Sequence, residues 1–118
     1  MIESGVCFLP VEDLEKTTEF YTRIIGLALW KDFGSCRIFD CREGYFGFCA
    51  YGNGREHPKG VCLSLNLPDV SAVDREYARV KALLPHTEPP EKHPNFPVYS
   101  FFLQDPEGYT VEFQKILA

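Results

Sequence analysis

The sequence predicts an α+β fold in which one pattern, strand, helix and three strands, is used twice within 118 residues. Three observations carry that prediction. Each half opens with a short apolar run that leads through an acidic residue into an amphipathic stretch: Pro-Val-Glu-Asp-Leu at 10–14 and Leu-Pro-Asp-Val at 67–70. Between the halves, Gly52 to Gly60 is the one long stretch rich in glycine and polar residues. The chain closes on two apolar runs around Asp105-Pro106-Glu107-Gly108, the composition of a type I turn in a β-hairpin. Neither half is large enough to bury a sheet alone. The expected product is a single domain with module one at 1–51, a linker at 52–60 and module two at 61–118, its two sheets curling around a shared cleft.

In chain order, Gly5 to Val11 is too short and apolar for a helix and reads as a strand, with Pro10 marking an edge or a strand end. Asp13 caps a helix whose Leu14, Thr17, Phe20, Tyr21, Ile24 and Ile25 recur at spacings of three and four, and Gly26 supplies the stop. Leu27 to Phe33, Ser35 to Cys41 and Tyr45 to Tyr51 follow as strands with short gaps, which implies an antiparallel meander. In the second half, Val61 to Leu67 alternates, with Val61, Leu63, Leu65 and Leu67 on one face and Cys62, Ser64 and Asn66 on the other. The pattern Ser71-x-x-Asp74 opens a helix with Val73, Tyr77, Val80 and Leu84 as its buried face, and Pro85 ends it. The proline-rich stretch 86–97 allows only an irregular or exposed strand. Val98 to Leu103 and Tyr109 to Lys115 complete the hairpin, with Thr110, Glu112 and Gln114 on the face opposite Tyr109, Val111 and Phe113.

Composition excludes several classes of function. Twelve basic residues against 17 acidic ones, net −5 and without a basic run, argue against a nucleic-acid surface. No run approaches a membrane span, and residues 1–20 lack the pattern of a signal peptide, so a cytoplasmic protein is expected. The five cysteines, Cys7, Cys36, Cys41, Cys49 and Cys62, lie in apolar strand-like runs without C-x-x-C. That suits reduced, buried thiols rather than a disulfide framework or a cysteine zinc site.

Val11 to Leu27, with its Phe20-Tyr21 and closing Gly26-Leu27, then Leu67-Pro68-Asp69-Val70, then Asp105 to Glu112 together resemble the vicinal oxygen chelate superfamily, which includes glyoxalase I, the bleomycin and fosfomycin resistance proteins and the extradiol dioxygenases. The resemblance covers most of the chain in the right order. It implies a pair of βαβββ modules whose sheets form an open barrel around a ligand cleft, and a homodimer. In the enzymes it implies a divalent ion held by the first and last strands of each module, acting as a Lewis acid or, as iron, activating oxygen. Carried over residue by residue, the ligand position of the first strand falls on Val6 and that of the fifth on Cys62. The strand Gly44 to Tyr51 contains no Glu or His. Glu112 alone stands where the family places a ligand, so a metal, if bound, would rest on Cys62 and Glu112.

Glu112 is accordingly the best candidate for a catalytic or binding carboxylate, against the plainer reading of a solvated one. Cys62, Ser64 and Asn66 share its expected setting; no basic residue is assigned to activate Cys62 as a nucleophile. His57, His86 and His93 lie in loops beside prolines and read as surface residues. Ten Phe, six Tyr and one Trp exceed what a small core requires, so Phe8, Tyr51, Tyr99 and Phe102 join the candidate ligand-binding set, with core and dimer packing as the alternative. The reading that results is a metal-independent binding protein for a small organic ligand, resembling the bleomycin-resistance branch and using no cofactor. The alternatives are a divalent-metal lyase, isomerase or dioxygenase of the glyoxalase type, and a dimeric interaction module. The sequence leaves open whether any reaction is catalysed.

Overall fold

Strand β1 (Val6–Pro10) leads to helix α1 (Leu14–Glu19), followed by strands β2 (Ala28–Asp32), β3 (Cys36–Asp40) and β4 (Tyr45–Cys49). The second half runs β5 (Cys62–Asn66), α2 (Val70–Leu83), β6 (Glu91–Lys92), β7 (Val98–Gln104) and β8 (Thr110–Ile116). This computed structural model describes residues 1–118. It is an α+β fold of two βαβββ modules, each with one open four-stranded sheet, in the orders β1-β4-β3-β2 and β5-β8-β7-β6. The chain divides into two compact units, Met1–Lys59 and Gly60–Ala118. No helix is long and apolar enough to cross a membrane.

In the first unit the expected meander pairs antiparallel, β2 with β3 and β3 with β4, and β1 returns to pair parallel with β4. Pro10 is the last residue of β1, an edge strand, where a missing N–H costs no ladder bond. Asp13 caps α1 by accepting from the Lys16 amide at 3.0 Å. The last turns widen to π geometry over Phe20–Ile25 and end at Gly26, whose φ of 93° is the left-handed stop the sequence implied. Tyr21 is fully buried and stacks on Phe48 with ring centroids 4.5 Å apart, so the helix seats on the sheet through aromatic contact.

The second unit repeats the plan, with β7 and β8 antiparallel and β5 parallel to β8. The helix start differs from the expected Ser71 cap. Asp69 holds that place, its Oδ1 accepting from the Ala72 amide at 2.7 Å, because its extended backbone aims the carboxylate at the free first-turn amides. Val73 and Val80 are fully buried as expected, and Phe101 stacks on Phe113 at 5.3 Å beneath the helix. The strand in the proline-rich stretch is two exposed residues, Glu91 and Lys92.

The turn is as its composition implies. The Gly108 amide donates to the Asp105 carbonyl at 3.0 Å, and Asp105 Oδ1 accepts from the amides of Glu107 and Tyr109 at 2.8 and 2.9 Å. Asp105 is itself buried, so its carboxylate acts as a fixed internal cap of the hairpin.

The expectation of five reduced, buried thiols is corrected. Cys36 and Cys49 are directly opposed on β3 and β4, with Cα atoms 4.0 Å apart, and form a disulfide. Cys7 and Cys62 are exposed and Cys41 is half-buried. The pairing depends on strand register, which no local spacing of cysteines encodes.

Candidate functional site

Strand β8 is flanked by β5 and β7, and its register sets Glu112 opposite Ser64 on one side and Phe102 on the other. Glu112 therefore stands in the middle of the sheet, on the face away from α2, and is only 8% exposed. A carboxylate at that depth needs hydrogen-bond partners. Ser64 Oγ donates to Oε1 at 2.5 Å, and the Cys62 thiol lies 3.8 Å from the same oxygen. Next along the face, Gln114 Nε2 donates to Asn66 Oδ1 at 2.9 Å, joining the same two strands.

Partial desolvation pushes the Cys62 thiol up from its usual range, although the residue keeps exposed surface; the Ser64 hydroxyl opposes the rise and the neighbouring Glu112 charge adds to it. The shift works against a nucleophilic thiolate at Cys62.

Glu112 forms part of the wall of a cavity of about 460 Å³ whose other walls are His93, Phe96, Pro97, Val98, Phe102, Gln114 and Ile116. That volume lies in the range of about 300–1,000 Å³ usual for small-molecule sites. His93 is oriented by its own loop: Nδ1 accepts from the amides of Asn95 and Phe96 at 3.0 and 3.2 Å.

The candidate ligand-binding residues do not all fall together. Cys62, Ser64, Asn66, Phe102 and Glu112 share the open face of the second sheet. Tyr99 lies on the opposite face, toward α2, and its hydroxyl donates to Asp74 at 2.6 Å. Phe8 and Tyr51 belong to the first unit. Phe8 is 44% exposed and its ring covers Gly47, where an added Cβ would lie 2.5 Å from Cδ1. Tyr51 carries the Arg55 guanidinium 3.7 Å above its ring and lines a smaller cavity of about 240 Å³ with Glu12, Arg55 and His57.

Six cavity residues, His93, Phe96, Pro97, Val98, Gln114 and Ile116, lie outside the candidate set. Gln114 and Ile116 were within reach, since they follow Glu112 at steps of two on one strand. His93 and Phe96 sit in a loop and carry no periodic signal.

The divalent ion implied by the resemblance can be tested against the donors present. Glu112 and Cys62 are one carboxylate and one thiol, the Val6 side chain on β1 has no donor atom, and β4 contributes no Glu or His. No group of three or more His, Cys, Asp or Glu side chains comes together that could hold a metal ion. Zinc and magnesium-like sites need three or more protein donors or a substrate's oxygens, and the residues present do not fit one.

No match is found among curated proteins. Among solved structures, the chain resembles lactoylglutathione lyase from Agrobacterium tumefaciens at 23% identity, with a TM-score of 0.76 over 94% of this chain and 91% of that one. A glyoxalase/bleomycin resistance protein/dioxygenase from Nocardioides is similar at 22% identity and TM-score 0.76, covering 99% of this chain and 84% of the other. A glyoxalase/bleomycin resistance protein from Albidiferax ferrireducens follows at 22% identity and TM-score 0.69, over 95% and 96%. These likenesses establish the fold. With the family profile also matching residues 4–113, the chain belongs to the Glyoxalase/Bleomycin resistance protein/Dioxygenase superfamily.

Proposed function

We propose that this chain binds a small organic molecule without a metal ion, on the open face of its second sheet, in the manner of the bleomycin-resistance branch. The single observation that carries this reading is the placement of Glu112. It is a nearly buried carboxylate in the wall of a cavity otherwise built largely from Phe96, Pro97, Val98, Phe102 and Ile116. Apolar walls around a few fixed polar groups are the usual composition of a small-molecule site, in which burial supplies affinity and the polar groups supply orientation. The donor set argues for a metal-independent site, since Val6 occupies a ligand position of the family and Cys62 with Glu112 supplies only two donors.

The test is a thermal-shift screen of small aromatic and aliphatic compounds, run on protein purified without a metal-binding tag and repeated with chelator. Stabilisation by at least one compound, unchanged by chelator and weakened by Phe102→Ala, is the expected result. Stabilisation that requires manganese, zinc, nickel or iron(II), with metal near one per chain, would instead make the protein a divalent-metal enzyme of the glyoxalase type.

A further inference from the structure

Glu112 is buried without a cation. Its hydrogen bonds come from a neutral hydroxyl and a neutral thiol, both directed at Oε1. Arg37 bridges Glu15 and Asp32 in the first unit and Arg79 pairs with Glu76 on α2, so neither arginine reaches Glu112. The cavity walls contain neither lysine nor arginine. His93 does not fill the role: its Nδ1 accepts from the amides of Asn95 and Phe96, and no hydrogen bond joins its ring to Glu112. Burial of an uncompensated carboxylate is costly, and a group that brings both positive charge and N–H donors removes that cost most effectively.

From this we infer the chemical class of the ligand: a primary or secondary ammonium group attached to a flat apolar body. The inference rests on the proposed binding face. The ammonium donates to Glu112, and the body lies against Phe96, Phe102, Val98 and Ile116. Phe96 and Phe102 are 62% and 46% exposed, so their ring faces are open to an incoming cation as well as to its apolar stem. A carboxylate ligand is disfavoured by like charge. A neutral alcohol of the same shape can donate one hydrogen bond but leaves the charge on Glu112 unbalanced.

The experiment uses three probes with a common aryl-alkyl body, phenethylamine, phenethyl alcohol and hydrocinnamate, titrated calorimetrically into the full-length chain and into Glu112→Gln and Phe102→Ala variants whose folding is checked by circular dichroism. The amine is expected to bind at least about tenfold more tightly than the alcohol, the difference between a charge-assisted and a neutral hydrogen bond, and hydrocinnamate not to bind. In Glu112→Gln the preference for amine over alcohol disappears; in Phe102→Ala amine and alcohol weaken together. Equal binding of amine and alcohol, or preference for hydrocinnamate, overturns the ligand class and leaves the binding face standing. Failure of all three probes, with no response to either substitution, overturns both. Displacement of the amine by manganese or zinc, with a matching rise in melting temperature, overturns the class in favour of a metal cation.

Discussion

Ser64 and Glu112 are register partners on neighbouring parallel strands, and the Ser64 hydroxyl donates to Glu112 Oε1 at 2.5 Å. A serine on β5 is therefore what makes a carboxylate tolerable near the centre of the second sheet. Replacing it by alanine leaves Oε1 with only a weak thiol partner, and stability is expected to fall by about 1–3 kcal/mol. In Glu112→Gln the same Ser64→Ala change should cost less, because a neutral amide is cheaper to leave under-satisfied. Urea unfolding of the four proteins in that double-mutant cycle measures the coupling; additive effects would show that the bond is energetically idle.

The Gly47 position depends on Phe8. The ring covers the glycine so closely that an alanine Cβ would lie 2.5 Å from it. Gly47→Ala should destabilise the first unit by about 1–3 kcal/mol through overpacking. Phe8→Ala combined with Gly47→Ala should recover much of that loss. Denaturant midpoints for the single and double variants provide the check.

Tyr109 predicts a response to alkaline pH. Burial, with the charges of Asp105 and Glu107, raises its hydroxyl from the ordinary value of 10 to about 12. In this window the folded chain retains a proton that the unfolded chain has released, so the unfolded state binds fewer protons and stability falls as pH rises. The contribution is complete below pH 10 and is lost by about pH 12. Tyrosinate absorbance recorded during alkaline unfolding should show Tyr109 titrating late, together with Tyr99, whose hydroxyl is also raised by its hydrogen bond to Asp74. Tyr109→Phe should flatten the slope; an unchanged slope would assign it to other groups.

The cross-strand disulfide joins residues 13 apart in sequence. Closing a loop of that size removes unfolded-state entropy worth about 3 kcal/mol. Reduction, or Cys36→Ala with Cys49→Ala, should lower stability by about that amount. Thiol titration of the unfolded, unreduced chain should find the three free cysteines, Cys7, Cys41 and Cys62. Five reactive thiols before any reductant would contradict the pairing.

Asp105 is the buried cap of the closing hairpin and accepts from two amides. Asp105→Ala is expected to cost about 2–4 kcal/mol, since a buried and a half-buried donor lose their partner together. Hydrogen exchange at Glu107 and Tyr109 should accelerate locally even where global stability is restored by a stabilising background.

What the sequence determined by itself was local in origin. The Asp13 cap, the Gly26 stop, the Asp105-Pro106-Glu107-Gly108 turn and the alternation along β5 and β8 are each encoded within a few residues, by backbone preference or by period. From these the two βαβββ modules follow, and so does the sharing of one face by Cys62, Ser64, Asn66 and Glu112. Both Asp69 and Ser71 can cap α2, and the extended backbone at Asp69 selects Asp69.

Tertiary structure decided whatever depends on strand register and loop path. Register opposed Cys36 to Cys49 and Ser64 to Glu112, across sequence separations of 13 and 48 residues. The path of the loop after β6 brought His93 and Phe96 to the cavity wall, while Tyr99, one residue out of phase, was turned toward Asp74 and α2. A one-residue shift in pairing reverses every side chain of a strand. The identity of the binding face could therefore be read from alternation, but the partners of each residue on it could not.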